Sequence, residues 1–489
     1  GQGSLLSHLK EQGWAEALGA WVGIDLPGSA RFDINIDLTA QGLDAYKEVI
    51  DAVLAEIQLM KAEGLKEMLY AEQSQLAKTN FIFSEPGEPA HDATRLSQMQ
   101  MHYPVEELIR APYLFESFDP RVILNYLDEM VPARMILTLR NDQLKTDQVE
   151  EKYGIEYRVT EIDATDLERW SAVPAIPALK IRDENPYVAQ SFDIKEVAEI
   201  SDKPQLLNDD RLIEIWHLQD SQFSLPKGAI NIALLSPEAN TSVRASVTNA
   251  LLARMINEQL NESLYDAQLA GLGVSLYSHL RGISLKVGGY DDRILTLLEA
   301  ALDGVQAPMT DQGLFERVRQ SFQEEIENRS KATPYNQAFS AAYETLLSLG
   351  SDAERLELLK EIKLEDLIKQ REVLLARGQI RLLVHGNLLA ADAMKVGELV
   401  KEKVAADMTF TSVPQLTANQ LPTSEPQKIQ LNVDHNDAAL ILYLQAEDVS
   451  YQSRAGVALI NEILSAPFYS QLRTEQQLGY IVFSSYLPM

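Results

Sequence analysis

The chain contains no cysteine. That absence excludes a disulfide scaffold, a thiol nucleophile, a thiolate zinc site and an iron–sulfur cluster. Positive charge is also scarce: 43 Lys plus Arg stand against 72 Asp plus Glu, for a formal charge of −29. Wrapping a nucleic acid needs an excess of Lys and Arg to meet its phosphates, so nucleic acid is not an expected partner. An anionic membrane surface is disfavoured for the same reason. No apolar run reaches the ~18 residues of a membrane span. Gly1-Gln2-Gly3-Ser4 lacks the charged and apolar regions of a signal peptide. The compartment stays open between periplasm and cytoplasm, and homodimerisation stays undecided.

Histidine is sparse and scattered: His8, His91, His102, His217, His279, His385 and His435. A helix presents two metal ligands on one face when they stand about four residues apart, with an acid between them as base. No two histidines here are that close, so neither HExxH nor HxxEH exists. His8-Leu9-Lys10-Glu11-Gln12 comes nearest, but Gln12 stands where the second histidine is needed. The GxG fragments Gly1-Gln2-Gly3 and Gly271-Leu272-Gly273 lack a third glycine, and Gly271 precedes a strand where a dinucleotide loop follows one. Asp33/Asp37, Asp209/Asp210 and Asp291/Asp292 lack calcium-loop spacing. There is no GxSxG elbow and no P-loop. The chain's own residues supply no complete catalytic constellation and no metal site.

What is present is a layered pattern. At roughly 150 residues per domain, 489 residues suggest about three domains, and a hydrophobic fraction of 46% is enough for large cores. Residues 31–38 alternate Phe32, Ile34, Ile36 and Leu38 with Asp33, Asn35 and Asp37, which predicts a strand with one buried face. Leu43 to Ile57 follows helical spacing, with Gly64 as the stop. Helices are predicted around 66–78 and 93–109, and a strand over 134–140. From Asn141 the pattern fades, and 171–203 carries Pro174, Pro177 and Pro186 with little periodicity, as a linker does. The pattern restarts at 204. Strands are predicted at 229–235, 282–289 and 379–385, and helices at 242–260, 294–302 and 388–404. It starts again at 423, after a polar stretch, with a strand at 438–445 and a helix at 454–464. A weak repeat recurs around Leu5–Leu9, Leu264–Leu269 and Phe468–Leu472: a short leucine-bearing turn, a glycine, then a strand. Strand, helix and strand in this order make the fold class α+β, in repeated layers.

The most informative stretch is Leu472-Arg473-Thr474-Glu475-Gln476-Gln477-Leu478-Gly479-Tyr480-Ile481-Val482-Phe483. It resembles the LRT-x-x-QLGY-x-VF segment of the insulysin/pitrilysin group of zinc metallopeptidases, the M16 family. Other segments are similar to that family's in the same order. They are Gly3-Ser4-Leu5-Leu6-Ser7 with Leu9-Lys10 and Gly13-Trp14, Tyr103-Pro104-Val105-Glu106-Glu107, Tyr153-Gly154-Ile155-Glu156-Tyr157, Leu269-Ala270-Gly271-Leu272 with Val287-Gly288-Gly289-Tyr290, and Val384-His385-Gly386-Asn387.

The resemblance implies repeated two-layer α+β domains of the LuxS-like kind, with helices packed on a mixed, mainly antiparallel sheet. Four such domains close around a chamber for short or unfolded peptides. By alignment, 1–170 is most of a second domain, 171–203 the interdomain linker, 204–422 a third domain and 423–489 the beginning of a fourth. The zinc site, HxxEH with a distal Glu, belongs to a first domain outside this chain, so no zinc and no catalytic residue is expected here. Arg473 and Tyr480 match positions that reach toward the scissile peptide. A guanidinium donates to peptide carbonyls without titrating, and a phenol can hydrogen-bond a developing oxyanion. Gly1 and Gly3 adjoin the expected exosite strand, with a helix-entry turn an equal reading. The expected partners are peptides, the N-terminal catalytic domain and the rest of the fourth domain. The alternative is a naturally inactive homologue that binds peptides or a partner.

Overall fold

A computed structural model describes every residue except Gln2, Pro27, Leu65, Pro86, Glu116, Ala198, Glu199, Thr423, Glu447, Pro488 and Met489. The side chains of Asp209 and Glu262 also lie outside the description.

The N-terminal part is helix-rich around a narrow ribbon. Helix α1 (Leu5–Glu11) starts where the Ser4 hydroxyl accepts the Ser7 N–H at 3.2 Å. Strands β1 (Ala15–Leu26) and β2 (Ser29–Leu38) pair antiparallel as a hairpin. Helices α2 (Ala40–Asp44), α3 (Tyr46–Glu63), α4 (Glu67–Ile82), α5 (Pro89–Met99) and α6 (Pro120–Glu129) follow. Helix α3 ends at Gly64, whose φ of +73° suits a glycine stop. The root of the ribbon packs on α1 and α3 through Leu9, Ala15, Val49, Ala52, Ile36 and Leu38. Its outer half does not: Trp21, Val22, Leu26 and Phe32 are exposed. The buried face expected of residues 32–38 is therefore realised only at its α3 end.

Two further expectations change here. The helix expected over 93–109 stops at Met99, and only a 3-10 turn, Val105–Glu107, follows Pro104; proline removes a donor and biases its predecessor away from helix. Residues 135–140 are not in a strand; β periodicity makes a strand only where a neighbour completes the ladder. Short strands β3 (Gln148–Val149) and β4 (Glu156–Tyr157) pair with each other, and α7 (Ala164–Ser171) buries Trp170 against Ile50 and Leu54 of α3.

Between α7 and the next strand no described residue is helical or stranded, yet the segment is fixed at both ends. Buried Glu72 of α4 accepts from Arg182 Nη1 at 3.1 Å and from the Asn185 N–H at 3.1 Å. Further on, Lys195 Nζ lies 3.0 Å from Asp291 Oδ2, and Asn387 accepts the Lys195 N–H at 2.8 Å while donating to the Asp193 carbonyl at 2.8 Å.

The main core follows. Its elements are β5 (Gln205–Asp209), β6 (Ile213–Gln219), β7 (Lys227–Leu235), α8 (Val243–Ser263), α9 (Tyr265–Leu269), β8 (Gly273–His279), β9 (Gly282–Tyr290), α10 (Asp291–Gln306), α11 (Gln312–Arg329), α12 (Pro334–Leu347), α13 (Asp352–Glu361), α14 (Leu364–Ala376), β10 (Arg377–Gly386), α15 (Ala390–Lys403) and β11 (Thr409–Phe410). The sheet runs β5-β6-β10-β7-β9-β8, and β11 pairs with β10. The β10–β6 and β10–β11 pairs are parallel and the other pairs antiparallel. Alternate residues Ile213, Ile215, Ile230, Ile232, Ile283, Leu285, Ile380, Leu382 and Val384 point into one core with α8, α10, α14 and α15. The sequence pattern did not single out β5 and β6. At the far edge, Asn257 of α8 accepts the Leu276 N–H at 2.9 Å and donates to the Leu276 carbonyl of β8. Lys10 of α1 reaches Glu258 of α8 at 2.8 Å, joining the N-terminal part to this core.

The C-terminal stretch holds α16 (Tyr451–Tyr469), which buries none of its residues. Residues 438–445 are unpaired rather than a strand, and Leu440, Leu442 and Leu444 are 94%, 79% and 79% exposed. No described helix is long and apolar enough to cross a membrane.

The central strand predicts its own importance. Leu382 is fully buried, so Leu382→Ala should cost about 2–5 kcal/mol in denaturant unfolding of the chain. Leu440→Ala should cost less than about 0.5 kcal/mol.

Candidate functional site

Helix α16 runs into a π-helical turn, Ser470–Glu475. The Gln476 N–H donates to the Gln471 carbonyl at 3.0 Å, and the Leu478 N–H to the Leu472 carbonyl at 2.9 Å. These wide turns fold the chain back on itself. Arg473 Nε donates to the Tyr480 carbonyl at 3.1 Å, and its guanidinium carbon lies 4.8 Å from the Tyr480 ring centroid. The two residues singled out in the sequence are thus adjacent, and Tyr480 is 83% exposed. No described carboxylate forms an ion pair with Arg473, so its remaining donors are not committed to one. The structure sets a permanently charged donor and a phenol side by side on an exposed turn.

A second surface escaped the sequence reading. The residues of the central sheet that point away from the core form rows across the strands. One row is Glu214, Arg381, Ala233, Ser284 and Tyr277; the next is Trp216, Leu383, Asn231, Lys286 and Ser275. Small residues at the centre, between Trp216 and Tyr277, leave a trough of about 400 Å³ lined also by Arg381 and Leu383. Arg381 Nε lies 3.0 Å from Glu214, and Lys286 Nζ stands 5.3 Å from the Tyr277 ring centroid. The signal was present in the alternation Ile213-Glu214-Ile215-Trp216-His217, where a tryptophan occupies the wet face of a strand.

Next to Ser284 of the trough's lining, His279 is held between two groups. Its Nδ1 accepts the Arg281 N–H at 3.2 Å, which leaves the proton on Nε2, 3.1 Å from Ser284 Oγ. Burial first, then the Arg281 charge, pushes the imidazole below its ordinary value. Arg281 is itself pushed down by burial and by Arg381.

Gly3 has φ +86°, and its carbonyl accepts the Lys180 N–H at 2.9 Å, while the Gly1 carbonyl accepts the Ser4 N–H at 3.0 Å. Both glycines thus lie in the entry turn of α1, with Gly3 held against the linker. Gly271, at φ +75°, makes the turn into β8 against the Tyr290 ring. Asp33 is paired with Arg31, Asp291 with Lys195 and Asp292 with Arg293. Asp210 accepts the Leu212 N–H at 2.9 Å, while the Asp209 side chain lies outside the described residues.

A zinc site needs converging nitrogen and oxygen donors. His217 Nε2 is spent on the Leu388 carbonyl at 2.8 Å, His8 lies edge-on to Trp14, and His435 caps the Asp437 N–H. Among the described residues no three His, Asp or Glu side chains converge to hold a metal. Among the described residues the donors are not arranged to hold zinc.

A helix-backed mixed sheet, joined through an irregular segment to a second helix-and-ribbon part, defines a layered α+β architecture. The family model described as the middle or third domain of peptidase M16 matches residues 81–360, and that of the C-terminal lobe domain 4 of PqqF-like PQQ synthases matches 459–489. The chain belongs to the peptidase M16 family. It is 28% identical to insulin-degrading enzyme of Drosophila melanogaster over 99% of this chain and 50% of that protein. It is 27% identical to the A-factor-processing enzyme of Saccharomyces cerevisiae over 100% of this chain and 48% of that one. The crystal structure of pitrilysin superposes with a TM-score of 0.71 at 22% identity, covering 98% of this chain and 51% of that one, which shows a shared fold. The chain spans about half the length of the curated relatives it matches.

The His279 environment sets a pH dependence. The unfolded imidazole takes a proton as pH falls through about 6.5, while the folded one resists it, so the unfolded state binds more protons below that value. Stability contributed above about pH 6.5 is therefore lost as pH falls toward the depressed folded value. Thermal midpoints should decline from pH 7.5 to 5, and His279→Gln should flatten that decline.

Proposed function

We propose that this chain is the non-catalytic portion of an insulysin-like zinc metalloendopeptidase that degrades short or unfolded peptides. In this reading 1–170 is most of a second domain, 171–203 the linker, 204–422 a third domain and 423–489 the start of a fourth. The chain supplies chamber wall and substrate contacts. Zinc, which supplies the hydrolytic chemistry of such an enzyme, is held by an N-terminal domain outside this chain. The observation that carries the reading is the pairing of Arg473 with Tyr480 on an exposed turn.

The chemistry suits those roles. The Arg473 guanidinium can hold a peptide carbonyl by directed donors, and the Tyr480 hydroxyl can donate to an oxygen that gains charge. The open face of the central sheet, with its trough between Trp216 and Tyr277, gives an extended peptide an amphipathic surface. Two observations support a larger working unit. The relatives are about twice as long. The outer faces of the β1–β2 ribbon and of α16 expose Trp21, Phe32, Leu459, Ile460 and Ile463, as surfaces covered by the remainder of a larger protein do.

The test is peptide hydrolysis. This chain with zinc added should show no chelator-sensitive turnover; robust turnover would overturn the reading. In the zinc-containing enzyme that includes this chain, Tyr480→Phe should lower kcat by about 10²-fold with KM little changed, as for loss of one oxyanion donor. Arg473→Ala should raise KM. A natural protein that lacks any zinc domain yet binds peptides would favour the inactive-homologue alternative.

A further inference from the structure

We propose that Gln477 is a positioning residue, whose left-handed backbone folds Tyr480 onto Arg473. The inference rests on the reading of that pair as substrate contacts and names what assembles it. Arg473 and Tyr480 are seven residues apart. An extended stretch of that length would span roughly 23–25 Å, yet the guanidinium sits 4.8 Å from the ring. The return happens in two steps. The π-helical turn widens the end of α16, so that the Leu478 N–H closes back on the Leu472 carbonyl at 2.9 Å. Gln477, inside that loop, then takes φ +52° and reverses the chain.

A residue with a Cβ is disfavoured in that region, and such residues gather where a fixed reversal serves a site. Gly479, two residues on, would adopt a left-handed conformation at little cost, yet the left-handed residue is Gln477. The position of the reversal decides the outcome. At 477 it leaves three further residues to bring the Tyr480 carbonyl to Arg473 Nε; at 479 it would turn the chain after that distance had opened. The surrounding stretch is exposed and lies away from the central-sheet core, so substitutions here leave the core's packing in place.

The experiment compares Gln477→Gly, Gln477→Asn and Gln477→Val in this chain. Gly and Asn accept φ near +50°, whereas a β-branched residue there is a genuine outlier. The first readout is the NMR signal of Arg473 Nε–H, which the Tyr480 ring shifts upfield; Tyr480→Ala assigns the effect. The second is the affinity for a fluorescein-labelled extended peptide, followed by anisotropy. The shift should persist in the Gly and Asn variants and vanish in the Val variant, with affinity about tenfold weaker in the latter alone. A shift retained in Gln477→Val overturns the inference. So does a shift lost in Gln477→Gly, which would assign the role to the side chain. Loss of the shift in the Val variant, with undiminished affinity while Arg473→Ala weakens binding, overturns it too. If the shift vanishes but affinity is unchanged in Gln477→Val, Arg473→Ala and Tyr480→Ala alike, the positioning stands and the substrate-contact reading falls.

Discussion

The central sheet depends on one late insertion. Strands β6 and β7 are close in sequence but not neighbours in space; β10 lies between them, parallel to one and antiparallel to the other. Until β10 arrives, both strands have an open ladder where a buried N–H or C=O needs a partner. The chain brings β10 only after α8 to α14 have been laid down. That makes the core rich in contacts distant in sequence, which slows folding. Gly386 shows how tight the insertion is: its φ is +109°, and a Cβ there would lie 2.4 Å from the Lys227 carbonyl oxygen.

The insertion also fixes the linker. Asn387 follows directly on β10 and holds the backbone of Asp193 and Lys195, while Lys195 pairs with Asp291 at the start of α10. At the other end of the linker, Glu72 takes Arg182 and Asn185. Phe192 bridges the rings of Phe83, at the end of α4, and Tyr290, at the end of β9. An irregular segment of this length would be a flexible tether if its polar groups faced water. Here the groups at Arg182, Asn185, Gln190 and Lys195 bond to the parts it joins, so the segment is tied down at several points along its length.

The sequence was most legible where burial is complete. Ile283, Leu285 and Val287 alternate toward the core as read, and the helices that follow Ser242 and Leu389 occupy the expected places. It misled where a pattern needs a partner. Residues 135–140 and 438–445 carry strand-like alternation but no neighbour completes their ladder. The motif residues Gly271, Gly289 and Asn387 turn out to do backbone work: Gly271 and Gly289 allow close approach around Tyr290 and Leu272, and Asn387 pins the linker. Arg473 and Tyr480 were singled out by motif alone, since periodicity says nothing about an exposed turn. The trough escaped because β6 was not recognised as a strand, so the outward position of Trp216 had no meaning.

The side chain of Asn257 has a consequence for how such a sheet meets other chains. An edge strand offers a row of free amides and carbonyls, and β8 is one such edge. By occupying both the amide and the carbonyl of Leu276, Asn257 stands where an added strand would bind. Any extended polypeptide approaching this edge must first displace two hydrogen bonds from a residue anchored on a core helix. That amounts to a guard against fibre-like self-association along the β8 edge.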